Sequence, residues 1–321
     1  MQTQTIFGII EFSTAINCSA EVLGQSVEVT IGDINGILTL PSLPEWEEQE
    51  KDPLRKPLLG PVKARTWKRG EDLIIWGRTY SYPNGDAIVE RALLEFSLQN
   101  DLIESSAQKV YEGFDSWLDL FEKYVILLTT QNTRCRISSN DGSGRIELII
   151  EEETVLKHIS KSQSQIIEVL LSGQKETLET SQYREAARLS SQLLPPRFEY
   201  MLLLEAYRAR KNNDYRKAII EAANALEICL TARIMDEFDT QNISFGENLL
   251  QKFRMLGGRF ELIKLLGVPL PDKDYDKLVN KPRNDVVHRG AFPDRTLANQ
   301  VVTEVESLLH LFSPQLNQDI Q

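Results

Sequence analysis

The stretch YRKAIIEAANALEICLTARIMDEF, from Tyr215 to Phe238, has neither glycine nor proline, and it constrains the fold more than any other part of the chain. Wound as an α-helix, it places Ala218, Ala222, Ala225, Leu226, Cys229, Leu230 and Ile234 on one broad face. So wide an apolar face has to be covered, because each large aliphatic side chain taken from water contributes about 1.5–3 kcal/mol. The alanines specify the cover: with only a methyl group at those positions, a neighbouring helix can approach closely. Just upstream, Tyr200, Leu203, Leu204 and Tyr207 recur at helical spacing. KNND then supplies a turn, and Asp214 is a suitable N-cap for the longer helix. The two are expected to form an antiparallel pair.

Helical signals continue to the end of the chain. Short helices are expected over about 249–255 and 260–266, punctuated by Gly257, Gly258 and Gly267. A longer one is expected over 295–312, capped by Asp294 and striped by Leu297, Val301, Val305, Leu308 and Phe312. Four or five such helices close into one bundle. Pro195 and Pro196, which interrupt a helix, mark its upstream boundary.

The first half reads differently. FGIIEF, VEVTI and GILTL are short apolar runs separated by Asn17, Gly24, Gly32 and Gly36, the pattern of strands and tight turns. A proline- and charge-rich loop follows from Pro41 to Gly60. In DLIIWGRTYSYPNGDAIVERALLEFSL, Pro83, Asn84 and Gly85 suggest a hairpin turn. Val110, Phe114, Trp117, Leu118, Phe121 and Val125 predict a helix over Leu102–Leu128, weakened locally by Gly113. SSNDGSG predicts a second turn, between TRCRI and RIELIIEEE. Trp67 and Trp76 fit core packing better than a base-stacking platform. The expected class is α+β: residues 1–155 a mixed, strand-rich sensor or recognition domain with one long helix, 156–196 a helical linker, and 197–321 an all-α bundle.

Hydrophobic residues at 41% and charged residues at 26% place the chain among folded proteins. A net charge of -11 and a pI near 5.0 exclude non-specific coating of nucleic acid, though not a local basic site. Cys18, Cys135 and Cys229 lie too far apart in sequence for a thiolate metal site or a disulfide framework, and imply a reducing compartment. The amino terminus has no basic residue before its short apolar run and reads as a first strand, not a signal peptide. No run approaches the ~18 apolar residues of a membrane helix. A cytoplasmic protein without membrane association is expected.

Chemistry concentrates in KPRNDVVHRG, Lys281 to Gly290. On a helix, Asn284 and His288 point about 40° apart, and Arg283 lies about 7.5 Å before His288 along the axis. Pro282 is expected to kink or restart the helix, leaving amides near Arg283 and Asn284 free to attract phosphate. Gly290 suits a left-handed helix end, which puts His288 on the last turn. An imidazole that titrates near neutrality moves protons, and an arginine stabilises charge on non-bridging phosphate oxygens. RNA brings its own nucleophile, the 2′-hydroxyl. Lys281 and Arg289, with Lys277 and Arg295, form a modest basic patch for such a substrate. A structural role fits the same residues: His288 against terminal carbonyls, Asn284 as a local cap, Arg283 solvated or paired with Asp285. Glu221 and Glu227 are weaker cleft candidates. His158 and His310 lack ligand partners at recognisable spacing, and SSNDGSG is followed by no GKS or GKT. No metal and no cofactor is expected.

PRNDVVHRG, together with the preceding helix pair RFEYMLLLEAYRARKNNDYRKAIIEAANALEICL, resembles the higher eukaryotes and prokaryotes nucleotide-binding (HEPN) domain family over about residues 197–315. That family is a four- to five-helix bundle with an arginine, usually followed by asparagine or another polar residue, and then a histidine after four to six intervening positions. The resemblance implies Arg283, Asn284 and His288 as that motif. It also implies a homodimer in which the motifs of two subunits meet and cut RNA without metal, leaving a cyclic phosphate and a 5′-hydroxyl. Arg283 would then stabilise the scissile phosphate, His288 transfer the proton, and Asn284 orient the ring or contact the phosphate. Many members are toxins or anti-phage defence effectors, so an antitoxin or a phage-derived trigger is an implied partner beside the RNA. Some only bind ligands, which leaves a second reading: a non-catalytic dimerising module for a partner protein or a phosphorylated ligand.

Overall fold

In the computed structural model, which describes residues 3–43, 68–69, 72–73, 76–79, 86–129, 131, 146–152, 155–158 and 177–313, TQTIFGIIEFSTAINC forms one long strand, β1 (Thr3–Cys18). β2 (Ser26–Ile31) and β3 (Ile34–Thr39) make a hairpin through Gly32 and Asp33, at φ 56° and 67°. Positive φ at both central residues is the turn whose twist matches that of the flanking strands. β4 (Lys68–Arg69) and β5 (Asp72–Leu73) pair with each other, and β6 (Gly77–Thr79) pairs with β7 (Ala87–Gln99). α1 (Ile103–Thr129) precedes β8 (Ile146–Glu152) and β9 (Val155–His158). The main sheet runs β2-β3-β7-β1-β8-β9, with β6 also on β7 and every pair antiparallel.

All six apolar positions expected to stripe α1 are buried. Phe121 stacks on Phe12 of β1 at 5.9 Å and on Trp117 at 5.3 Å. Gly113 has a packing role instead of a merely weakening one. A Cβ there would lie 2.8 Å from the Gly32 nitrogen and 2.9 Å from its Cα, so the β2–β3 turn rests on the helix backbone. Trp76 is buried. β6 and β7 pair on either side of the expected Pro83–Gly85 turn, which itself lies outside the described residues, as do Trp67, Cys135, TRCRI and SSNDGSG.

The linker expected over 156–196 is corrected in its second half. α2 (Thr180–Ser191) opens with a capping box between Glu179 and Gln182, and it packs against α1 and β2. Leu178 exchanges backbone hydrogen bonds with Asn17 and Ser19, and the buried Tyr183 donates its hydroxyl hydrogen to the Leu38 carbonyl at 2.9 Å. The first unit therefore reaches Pro195, and the second begins at Pro196.

In the second unit α3 (Phe198–Lys211) and α4 (Tyr215–Thr240) form the expected pair, and the Asp214 carboxylate caps α4 by accepting from the Lys217 amide at 3.1 Å. Every residue assigned to the α4 apolar face is buried. α5 (Gly246–Lys252) and α6 (Leu256–Leu265) are short. Gly257 and Gly258, expected between helices, lie inside the first turn of α6. Residues Asp276–Asn280 form one wide π-type turn that leads into α7 (Lys281–Arg289), and α8 (Arg295–Phe312) closes the unit, capped as expected by Asp294. α4 is central, touching α3, α8, α6 and α7. The ends of the unit are tied together: Ser313 Oγ donates to the Glu199 carboxylate at 2.7 Å, and the Tyr200 hydroxyl donates to the Ser313 carbonyl at 2.7 Å. No helix among the described residues is long and apolar enough to cross a membrane.

Candidate functional site

α7 is held on the bundle by Pro282 and Val286, both buried, with Val279 of the π-type turn beneath them. Tyr275, at the head of that turn, stacks on Phe260 of α6 at 5.2 Å. The α-helix restarts at Lys281 with Pro282 in its first turn, as expected, but the chain stays helical across the junction. Asn280 and Lys281 keep right-handed helical angles, and the Lys281 amide donates to the Asp276 carbonyl. The physical reason is the π-type turn, whose extra residue widens the backbone just where a proline ring would otherwise meet the carbonyl four residues back. Free amides are therefore not the feature that marks this site. Gly290 ends α7 at φ 66°, as expected, and the Ala291 amide closes the cap on the Asp285 carbonyl at 3.0 Å.

The three motif side chains divide between the flank and the outer side of α7. His288 is exposed on the last turn, whereas Arg283 and Asn284 are half-buried. Arg283 Nη1 donates to Asn284 Oδ1 at 3.1 Å, Asn284 Nδ2 donates to Asn280 Oδ1 at 3.3 Å, and Asn280 Nδ2 donates to Asp276 Oδ1 at 2.6 Å. This row fixes the Asn284 amide from both ends and aims the Arg283 guanidinium. Asn284 thus positions the arginine, where the family pattern suggested the imidazole or the phosphate. A Cβ on Gly257 would lie 2.9 Å from Asn280 Nδ2, so the bare glycine admits the row beside α6. Asp285 is not the partner of Arg283; it takes Arg289 at 2.8 Å.

The basic patch is present, with Lys277, Lys281 and Arg289 all exposed. Arg216 of α4 joins it, with its guanidinium over the Phe292 ring at 5.1 Å and Nη2 donating to the Val286 carbonyl at 3.5 Å. A cavity of about 310 Å³ opens on the neighbouring side of α7, lined by Lys281, Pro282, Asp285, Val286, Phe292 and Leu297 among others. It does not include Arg283, Asn284 or His288. Glu221 and Glu227 are half-buried on α4, and the charge of Glu227 acts on the buried Arg259. His310 lies against Tyr200 at 6.3 Å, and desolvation lowers its pKa. Among the described residues no group of three or more His, Cys, Asp and Glu side chains is placed to hold a metal ion.

Sequence reasoning missed Asn280, Arg216 and Phe292. Asn280 was within reach, since it stands four residues before Asn284. Arg216 was not, because nothing local links it to a helix seventy residues away. No protein-family model matches the chain, and neither a curated protein nor a solved structure matches it.

Proposed function

We propose that the chain is a metal-independent endoribonuclease of HEPN type, acting as a homodimer and serving as a toxin or anti-phage effector in the cytoplasm. The observation that carries the reading is the Arg283–Asn284–Asn280–Asp276 row beside an exposed His288. A guanidinium offers five donors, and among the described residues Arg283 donates only to Asn284, which leaves the others for a phosphate. In the reaction the 2′-hydroxyl oxygen attacks the adjacent phosphorus as His288 removes its proton. The bond to the 5′-oxygen breaks, and His288 of the partner subunit protonates that oxygen. The products are a 2′,3′-cyclic phosphate and a 5′-hydroxyl. Arg283 stabilises the charge that builds on the non-bridging oxygens.

Purified protein mixed with total RNA and a chelator tests this. Cleavage that leaves cyclic-phosphate ends, lost in His288→Ala, is expected; RNA that stays intact under every condition refutes it.

A second reading, a non-catalytic module that docks a partner protein, is favoured by Val287 and Phe292, which are 43% and 86% exposed around the same end of α7. It predicts that His288→Ala leaves dimers and cellular effects unchanged.

A further inference from the structure

Phe292 is 86% exposed in a unit whose core aromatics are almost wholly covered. It is not displayed on a loose loop. The chain leaves α7 through the Ala291–Asp285 hydrogen bond and enters α8 through Pro293 and the Asp294 cap, so only a short, anchored connection carries the ring. Arg216 lies over the ring at 5.1 Å and is itself held by the Val286 carbonyl. The ring also walls the cavity of about 310 Å³, a volume at the lower end for small-ligand sites, which run from roughly 300 to 1,000 Å³.

The charges around this hollow favour an anion. Lys277 and Lys281 line it, are exposed, and make no ion pair among the described residues. Asp285, which also lines it, is paired with Arg289 at 2.8 Å. An aromatic platform beside unpaired lysines is the combination that recognises a nucleotide of a single strand, the base by stacking and the phosphate by charge. Lys281 and His288 stand seven positions apart, which puts them about 20° apart around α7 and about 10 Å apart along it. A strand laid along this side of the helix runs from the hollow to the imidazole.

We infer that the hollow between the end of α7 and the start of α8 is a nucleotide subsite for single-stranded RNA, in which a base stacks on Phe292 and an adjoining phosphate is held by Lys277 and Lys281. The inference rests on the endoribonuclease reading for its choice of RNA, and its test reads binding separately from cleavage.

A short oligoribonucleotide carrying 2-aminopurine, whose emission falls when it stacks, is titrated into full-length protein with His288→Ala to prevent cleavage. Saturable quenching is expected. Adding Phe292→Ala abolishes the quenching and weakens binding about 10-fold, whereas Phe292→Trp retains both. Adding Lys281→Ala keeps the quenching at saturation but weakens binding and flattens its salt dependence. Because Phe292 is so exposed, its removal leaves the thermal melt unchanged, which separates loss of the platform from loss of the fold.

Quenching that is the same with and without Phe292 overturns the subsite, even if the wild type cuts RNA and the nuclease reading stands. Quenching that depends on Phe292 in a protein that cuts no RNA upholds the subsite and removes the nuclease. Absence of binding overturns the subsite, and cleavage by the wild type then decides the nuclease reading by itself. Loss of self-association in Phe292→Ala, with quenching untouched, overturns it in favour of protein docking.

Discussion

Replacing Arg283 with alanine distinguishes a residue that stabilises a helix from one that stabilises a transition state. Its structural contribution can be bounded. The side chain is half-buried and donates a single hydrogen bond of 3.1 Å to a neutral amide oxygen, with no ion pair among the described residues. Such a bond contributes about 0.5–1.5 kcal/mol, and the helix preference of alanine returns a few tenths. The net loss is about 1 kcal/mol or less, roughly 3–5 °C in the melting temperature of a unit of this size. A guanidinium that meets the phosphate in the transition state is worth far more, about 3–4 kcal/mol, or 100- to 1,000-fold in rate. The assay is single-turnover cleavage of an end-labelled RNA in chelator, with a circular-dichroism melt on the same sample. The expected result is a small shift in melting with a rate loss of at least about 100-fold. Lysine restores only part of the rate, because a point charge lacks the planar fork of donors. A rate that falls by less than about five-fold, or full recovery with lysine, refutes the assignment of Arg283 to the phosphate.

Three further outcomes are expected. Gly113→Ala, which in an open helix gains about 1 kcal/mol, should instead destabilise, since its methyl would lie 2.8 Å from the Gly32 backbone and overpacking costs about 1–3 kcal/mol; a raised denaturation midpoint would contradict this. Glu306 has its pKa raised by burial, offset in part by a hydrogen bond from Tyr207 and by Arg210, so its stabilising contribution is complete below the ordinary value of 4.5 and is lost as pH rises through the folded value. Glu306→Gln should therefore melt above the wild type at pH 7, with the gain vanishing as pH falls below 4.5, measured by melts across that range. Finally, specific activity should rise with protein concentration through the dimer dissociation constant measured by sedimentation; activity that stays flat while only monomers sediment would leave each chain working alone.

What the sequence disclosed was local. The caps Asp214 and Asp294 and the stripes of α1 and α4 are written within one helix each and stand in the fold; of the α8 stripe, Val301, Val305 and Leu308 are buried, while Leu297 and Phe312 are half-buried and Ala298, Val302 and Leu309 complete the inner face. Pairings between distant strands are not written in this way. β7 lies between β3 and β1, and β8 pairs with β1, an order that the turn signals around Asn84 could not specify. α2 misled for a related reason: in a polar segment Leu178, Tyr183, Leu189 and a few small residues turn inward, too few to mark a core helix until Leu38 and Asn17 are seen beside them. At the site, the motif spacing was legible and the row through Asn280 nearly so. The π-type turn that leads into Pro282 was not foreseen, because such a turn leaves no mark in composition.

On the proposed reading, the arrangement on α7 also bears on why two copies of the chain would act together. Five positions separate Arg283 from His288, which is about 140° around a helix. Pro282 and Val286 mark the inner side, so His288 faces outward while Arg283 lies on a flank, drawn toward Asn284 by its hydrogen bond. Within one chain the Arg283 guanidinium and the His288 imidazole therefore diverge. On the proposed reading a two-fold axis passing near Asn284 resolves this, because it sets the outer side of each α7 against its own copy and lets the arginine of one subunit share a phosphate with the histidine of the other. The same symmetry doubles the positive charge, bringing two copies of Lys281 and Arg283 together, while Asp285 is paired with Arg289 and the Asp276 carboxylate accepts from Asn280. On the same reading, repulsion of that kind weakens the empty dimer and is relieved by a bound polyanion, so RNA would both occupy the composite site and favour its assembly.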